Sequence, residues 1–358
     1  MKPRVAVIGT GILGACVGWN LSRRGAEVIF VDLLAPGEGV TNWSFAWVNA
    51  SAKTARRSYF DLSVAAMTTY GELVKTLGPG SWWHPTGHVR WTDDPAAESE
   101  LLATAELLAG RNYRAEVWTG AEVRRCLESA LVLPDEVAVV HYPDEAWVHG
   151  RRLVRRLVGE AVASGADHRS GTAVRAIELG HHPSVVLSDG TRLEVDAVVN
   201  AAGPGAAEVA GLVGRHLPMR REPGAVARLA CERVPIERAM HTPHVEIRPD
   251  GDASVVLHSR EVDALVDTDA DLGQLLHTLA GAVVPELSEA RVAAVRAVER
   301  PIPADTFPSV GAALAGYYEA VSHSGITLGP LLGRLLAAEI LTGERDNLLA
   351  DFRPERFG

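Results

Sequence analysis

The sequence predicts an α/β fold, α+β overall, in which one domain is assembled from separated stretches of chain and interleaved with a second. Three observations predict it. A strand, glycine turn, helix and strand follow one another at the start, in residues 4–32. Apolar strands with Gly/Pro turns recur at 173–206, and a strand running into a glycine-rich turn and a helix closes the chain at 316–343. The stretches between, 81–148 and 216–300, carry short strands and helices without that pattern.

The first element is the run 4–8, rich in Val and Ile, which reads as a buried strand. Gly9, Gly11 and Gly14 then form GxGxxG, with Thr10, Ile12 and Leu13 between them. Leu13, Ala15, Val17, Gly18 and Leu21 recur at helical spacing to about Arg24, and Gly25 stops the helix. Residues 27–31 form a second strand ending at Asp32, roughly 20 residues past the glycines. In that order these elements make a site for ADP. The first glycine permits the tight turn and the second lets backbone approach a pyrophosphate. The third, with Gly18, brings helix and strand together. The helix N-terminus favours the diphosphate, and Asp32 accepts hydrogen bonds from the ribose. The stretch alone does not distinguish FAD from NAD.

The remaining elements follow in chain order. Helices are expected at 97–110, 151–165 and 269–283, the second of them stopped by Gly165. A strand at 173–179 precedes a ribbon at 184–195 that turns on Asp189-Gly190. Residues 197–206 (AVVNAAGPGA) read as a strand entering a Gly/Pro turn, and 224–230 and 253–259 as strands of the second unit.

Composition narrows the function. The 358 residues are 47% hydrophobic and 22% charged, with net charge −10, long enough for about two domains. No basic block is present, which excludes nucleic acid as a partner. Cys16, Cys126 and Cys231 are scattered, which argues against a disulfide framework and fits a cytoplasmic protein. No secretory signal is expected before the first strand. No membrane span is expected either: the apolar run 326–341 is short and broken by Arg334. Two histidine pairs, His241 with His244 and His181 with His182, lack acidic or thiol company, so no metal is expected.

Taken together, the extended fingerprint GTGILGACVGWNLSRRGAEVIFVD, TNWSFAWVNAS (41–51), NAAGPGA (200–206), RPIPADTFPSVG (300–311) and HSGITLGPLLGRLLA (323–337) give the whole chain a resemblance. It resembles the D-amino-acid oxidase, glycine oxidase and sarcosine oxidase superfamily of FAD-dependent oxidoreductases. The resemblance implies a glutathione-reductase-like Rossmann FAD domain (1–80, 149–215 and 301–358) interleaved with a mixed-sheet substrate domain (81–148 and 216–300). It implies oxidation of the C–N bond of an amine or amino acid, whether a D-amino acid or an N-alkyl or cyclic one, to an imine by hydride transfer to flavin N5. Carried across, Gly9, Gly11, Ile12, Leu13 and Gly14 face the diphosphate, and Asp32 and Leu33 take the adenosine. Ser44, Phe45 and Ala46 pass beside diphosphate and isoalloxazine. Val174 touches adenine, and Ala202, Gly203 and Gly311 line the cofactor. Ser324, Gly325, Ile326 and Thr327 sit at a helix start by the flavin pyrimidine end, where the dipole favours negative charge on the reduced ring. The segment 41–51 holds neither Cys nor His, so non-covalent FAD is expected.

For the substrate, a carboxylate calls for a bidentate arginine. Arg300 and Arg90 are the candidates. Lys2, Lys53 and Lys75 are the only lysines, so Lys53 is the candidate to promote reaction with O2. No lysine falls in 216–300, which leaves open O2 or another electron acceptor. His323 is placed to touch the flavin. Eight tryptophans stand beside six phenylalanines. Trp43 and Trp47 flank the flavin loop, and Trp82, Trp83 and Trp91 form a candidate aromatic wall for a bulky or cyclic amine. The expected partner is therefore a small-molecule amine or amino acid, with the protein a monomer or homodimer. An NAD(P)-dependent dehydrogenase and a non-catalytic flavin-binding subunit of a larger complex are the alternatives.

Overall fold

A computed structural model describes residues 2–181 and 183–358. Its first sheet has six strands, in the order Ser309–Leu314, Tyr317–Val321, Ala197–Asn200, Arg4–Ile8, Glu27–Asp32 and Asp167–Ser170. All neighbours run parallel except the edge strand Ser309–Leu314. A strand buried on both faces must be apolar throughout, and residues 5–8 and 28–31 meet that demand. The predicted ribbon is present as Ser184–Leu187 and Arg192–Glu194, preceded by Val174–Glu178.

Helix Ile12–Arg23 lies between this sheet and helices Gly150–Ala163 and Gly325–Thr342. A glycine in the closing helix explains how near it comes. A Cβ on Gly333 would stand 2.5 Å from the backbone carbon of Cys16, so only glycine allows the two helices to cross there. Helix Gly325–Thr342 is long and apolar enough to cross a bilayer by composition, but it is mostly buried, wedged among the core helices. Sequence reading did not place helix Arg57–Leu77, which packs against it. Its signal was present: Tyr59, Leu62, Ala66, Thr69, Tyr70 and Leu73 are buried at helical spacing.

The second sheet has eight strands: Arg291–Glu299, Pro223–Ala230, Ser254–His258, Glu246–Pro249, Ala239–His241, His88–Arg90, Ala138–Tyr142 and Glu116–Thr119. It is mixed, since Ala239–His241 and His88–Arg90 run parallel while the other neighbours are antiparallel. Helix Leu272–Val283 covers one side of it.

Candidate active site

The two sheets enclose a groove of about 1420 Å³. Its floor begins where strand Arg4–Ile8 ends. Gly9 has φ +101°, and a Cβ there would lie 2.3 Å from the Ala201 carbonyl oxygen, so the turn admits no other residue. Helix Ile12–Arg23 starts at once, with no side chain capping it. The Ile12 N–H donates to Thr41 Oγ1 at 3.0 Å, and Gly11, Ile12 and Leu13 line the groove floor at the helix start. Asp32 is held rigidly at the end of the next strand. Its Oδ2 accepts from the Thr10 N–H at 2.5 Å and the Thr10 hydroxyl at 2.8 Å, and its Oδ1 from the Leu34 N–H at 2.8 Å. A second uncapped helix start, at Ser324, opens on the same groove, with Ser324 Oγ fixed by the Tyr59 hydroxyl at 2.7 Å.

The loop 41–47 forms one wall and is clamped from the second sheet. Arg248 donates to the Phe45 carbonyl, and Arg228 to the carbonyl and side-chain oxygens of Asn42. Asp250 binds both arginines. Burial pushes its carboxyl up, but Arg248, His149 and Arg228 outweigh that and hold it at about 2. The clamp presents Ala46 with φ 56°.

Across the groove stands a row of charged groups dictated by strand pairing. His258 lies opposite Glu246, and Glu246 opposite His241. Glu246 Oε2 accepts from His258 Nδ1 at 2.7 Å, and its Oε1 lies 3.2 Å from His241 Nε2. The other ring nitrogen of His258 donates to Asp263 Oδ2 at 2.8 Å. Burial pushes the His258 imidazole down, but the carboxylates of Glu246 and Asp263 on its two nitrogens raise it to about 9. His323 also lines the groove. Burial, and then the charges of Lys53, Arg300, His258 and Arg260, push it down to about 4, so it is neutral.

The structure brings together most of the residues singled out from sequence. Gly9, Gly11, Ile12, Leu13, Asp32, Leu33, Ser44, Phe45, Ala46, Val174, Ala202, Gly203 and Ser324 to Thr327 line the groove, as do Trp43 and Trp47. Gly14 does not. A Cβ there would meet the Gly9 carbonyl oxygen at 1.9 Å, so its place is the turn-to-helix contact. Gly311 lies on the edge strand against Arg353, outside the lining. Lys53 is at the wall. Burial, with Arg260 adding to it and Glu145 opposing, lowers it to about 8. Arg300 reaches the groove but is engaged: it pairs with Glu222 at 3.0 Å and with Asp263. Arg90 lies one strand beyond His241, exposed and outside the lining. Trp82 and Trp91 are buried in separate cores, and Trp83 stacks on Tyr70, so these three form no wall of the groove.

Sequence reading passed over Arg260, Glu246 and His258. Arg260 lines the groove and has no ion pair or hydrogen bond among the described residues. The signal for the other two was a pair of adjacent strands with polar residues on one face. No metal-binding cluster exists among the described residues. His244 turns outward to Glu261 and Asp93, away from His241, and His182 lies outside the described residues.

The family described as FAD-dependent oxidoreductase, DAO, matches residues 4–339. The chain belongs to that family. The groove fits FAD on its own geometry: a glycine turn that a Cβ would fill, a fixed carboxylate, and two uncapped helix starts. FAD is thus the cofactor, and the nicotinamide alternative falls. No cysteine lines the groove, in keeping with FAD held non-covalently. An opine oxidase subunit of Agrobacterium tumefaciens is 23% identical, over 99% of this chain and 97% of its own. In fold the chain matches glycine oxidase from Geobacillus kaustophilus, with a TM-score of 0.87, 21% identity and 98% of each chain covered. It also matches iminodiacetate oxidase from Chelativorans sp. BNC1, with a TM-score of 0.84, 23% identity, and 98% of this chain and 99% of the other covered.

Proposed function

We propose that this oxidoreductase oxidises the C–N bond of an amino acid, with N-substituted amino acids the favoured class. The observation that carries the reading is the charge pattern opposite the flavin-side helix start. Arg260 stands at the groove with no carboxylate partner among the described residues, Lys53 lies at the same wall, and Glu246 is ionised between two histidines. A substrate carboxylate answers the first pair and its ammonium group answers Glu246. The names of two similar proteins, the opine oxidase subunit and iminodiacetate oxidase, point to substrates with a substituted nitrogen.

Bound FAD supplies the two-electron acceptor for the hydride. The chain's own residues do the rest. Gly9, Gly11, Leu13 and Asp32 hold the ADP portion, and Ser44 to Ala46 with Ser324 to Thr327 hold the ring end. Arg260 and Lys53 orient the carboxylate, Glu246 receives the ammonium, and neutral His323 adds no competing charge. The domain limits 1–80, 149–215 and 301–358 against 81–148 and 216–300 belong to this reading.

The test is anaerobic mixing of the FAD-loaded protein with D- and L-amino acids, N-methyl and N-carboxyalkyl amino acids, and cyclic imino acids. Bleaching of the yellow flavin by an N-substituted member, and re-colouring in air, is the expected result. Bleaching that air does not reverse would mark a dehydrogenase with another acceptor. No bleaching across the panel would refute the reading and favour a flavin-holding subunit.

A further inference from the structure

The row of charged groups does not end at the groove. His241 Nδ1 lies 2.6 Å from Nε2 of His88, whose strand neighbours its own. His88 is fully buried, and its Nδ1 has no hydrogen-bond partner. That atom lies 3.5 Å from Oε2 of Glu145, a carboxyl with no exposure. Trp47 roofs the line: its ring lies 4.3 Å from both His88 and His241, and its Nε1 donates to Glu145 Oε2 at 2.7 Å.

We infer that Glu246, His241, His88 and Glu145 form a proton path, which takes the proton an ammonium substrate must lose and carries it from the groove to the interior. The inference rests on the amine reading above. Hydride leaves an amine carbon only when the nitrogen lone pair is free, so the bound ammonium must first give up a proton. Glu246 faces the groove to receive it. It does not keep it, because although burial pushes this carboxyl up, the charged His258 beside it holds it well below the usual range.

His258 cannot take the proton onward, since both its nitrogens already donate to carboxylates. His241 can. The path requires Glu145 ionised with His88 Nδ1–H turned toward it across the 3.5 Å gap, His241 Nδ1–H donating to His88, and His241 Nε2 bare when the proton reaches Glu246. One proton arriving at Glu246 shifts each link by one hydrogen bond. An N–H bond of the substrate breaks, an O–H bond on Glu145 forms, and no electrons move in the step.

Burial raises Glu145 to about 7, against hydrogen bonds from Tyr113, Ser51 and Trp47. Its other ionisable neighbours are Lys53, Tyr142 and His88. His88 is in turn faced by His241, Arg90, Glu246 and His141, and burial with His241 and Arg90 keeps it neutral. The path therefore opens as pH rises through about 7 and is blocked by an occupied Glu145 below.

Two measurements test this on the FAD-loaded protein, with Glu145→Gln and His88→Phe as independent breaks and melting curves to confirm folding. Infrared spectra across pH 5–9 should show a buried carboxylic acid band vanishing with a midpoint of about 7. The band should be absent in Glu145→Gln and have a higher midpoint in His88→Phe, which removes the N–H that favours the ionised carboxylate. The rate of anaerobic flavin reduction, by whichever panel member reduces it, should rise through the same pH. Each variant should lose that limb, with a loss of about tenfold at pH 7.5. No titrating band, a band that survives Glu145→Gln, or a neutral limb kept by both variants overturns the path. A wild type that no amine reduces refutes the amine reading instead, and the infrared titration then decides the path alone.

Discussion

Replacing Asp32 with alanine tests the cofactor floor most directly. The carboxylate is pinned by the Thr10 N–H, the Thr10 hydroxyl and the Leu34 N–H, so its free lone pairs have one direction left, into the groove. A ribose hydroxyl would donate there. A hydrogen bond to a charged acceptor contributes about 1.5–3 kcal/mol, so its loss weakens FAD binding by that amount. At 1.4 kcal/mol per factor of ten, the dissociation constant rises about 10- to 10²-fold. Titrating flavin-free protein with FAD and following the quenching of flavin fluorescence reads that constant. Asp32→Asn keeps the shape without the charge and should fall between. The apoprotein should lose only about 1–3 kcal/mol of stability from the freed Thr10 and Leu34 N–H groups, read by thermal melting. A change in FAD affinity below about threefold, with folding intact, would mean that Asp32 does not hold the adenosine and that the floor is misread.

Asp250→Asn leaves the buried Arg248 without its charge partner, and should cost about 3–5 kcal/mol in a denaturant melt while loosening FAD by freeing the loop at Asn42 and Phe45. Because Asp250 sits at about 2 when folded, its stabilisation is present above the ordinary carboxylate range and fades as pH falls toward 2; the variant should show a flatter acid limb. Gly333→Val forces a Cβ to within 2.5 Å of Cys16 backbone, so melting should drop by an amount matching about 3 kcal/mol or more, whereas exposed Gly159→Ala should not lower it. Lys53 is charged below about 8 and neutral above, so if it serves O2, re-oxidation of reduced flavin should slow as pH rises through 8, and Lys53→Met should be slow and flat throughout; a steep profile retained in the methionine variant would remove Lys53 from that role.

The glycine turn and Asp32 were legible because their constraints are local. Backbone geometry and a twenty-residue unit decide them, and sequence order carries both. The ends of the ribbon at 184–195 and the closing helix were legible for the same reason. Arg300 was legible only by position. Its partners Asp263 and Glu222 are 37 and 78 residues away in sequence, and nothing near Arg300 announces that they occupy its guanidinium. Arg90 failed on a finer point. It shares a register position with His241, but one strand further from the groove, and strand order is set by tertiary pairing. The tryptophans misled because aromatic rings serve cores as readily as pockets, and Trp82 and Trp91 went to two different cores.

The charge row shows why such a site resists reading from a single chain. His88, His241, Glu246 and His258 come from four strands, and each is unremarkable alone. What gives them a role is that neighbouring strands place like faces side by side, so that cross-strand partners meet at hydrogen-bond distance. Once they meet, chemistry constrains them jointly. His258 between two carboxylates must be charged, which fixes Glu246 as an anion, which in turn limits what His241 and His88 can donate. The protonation of Glu145, deep behind Trp47, is thereby tied to an ion in the groove through contacts no longer than 3.5 Å. Changing His258 to glutamine removes the first constraint. Glu246 should then rise toward its ordinary carboxyl range and keep the proton longer, so flavin reduction should slow while the limb near pH 7, set by Glu145, stays in place, although His258 lies on the far side of Glu246 from the path.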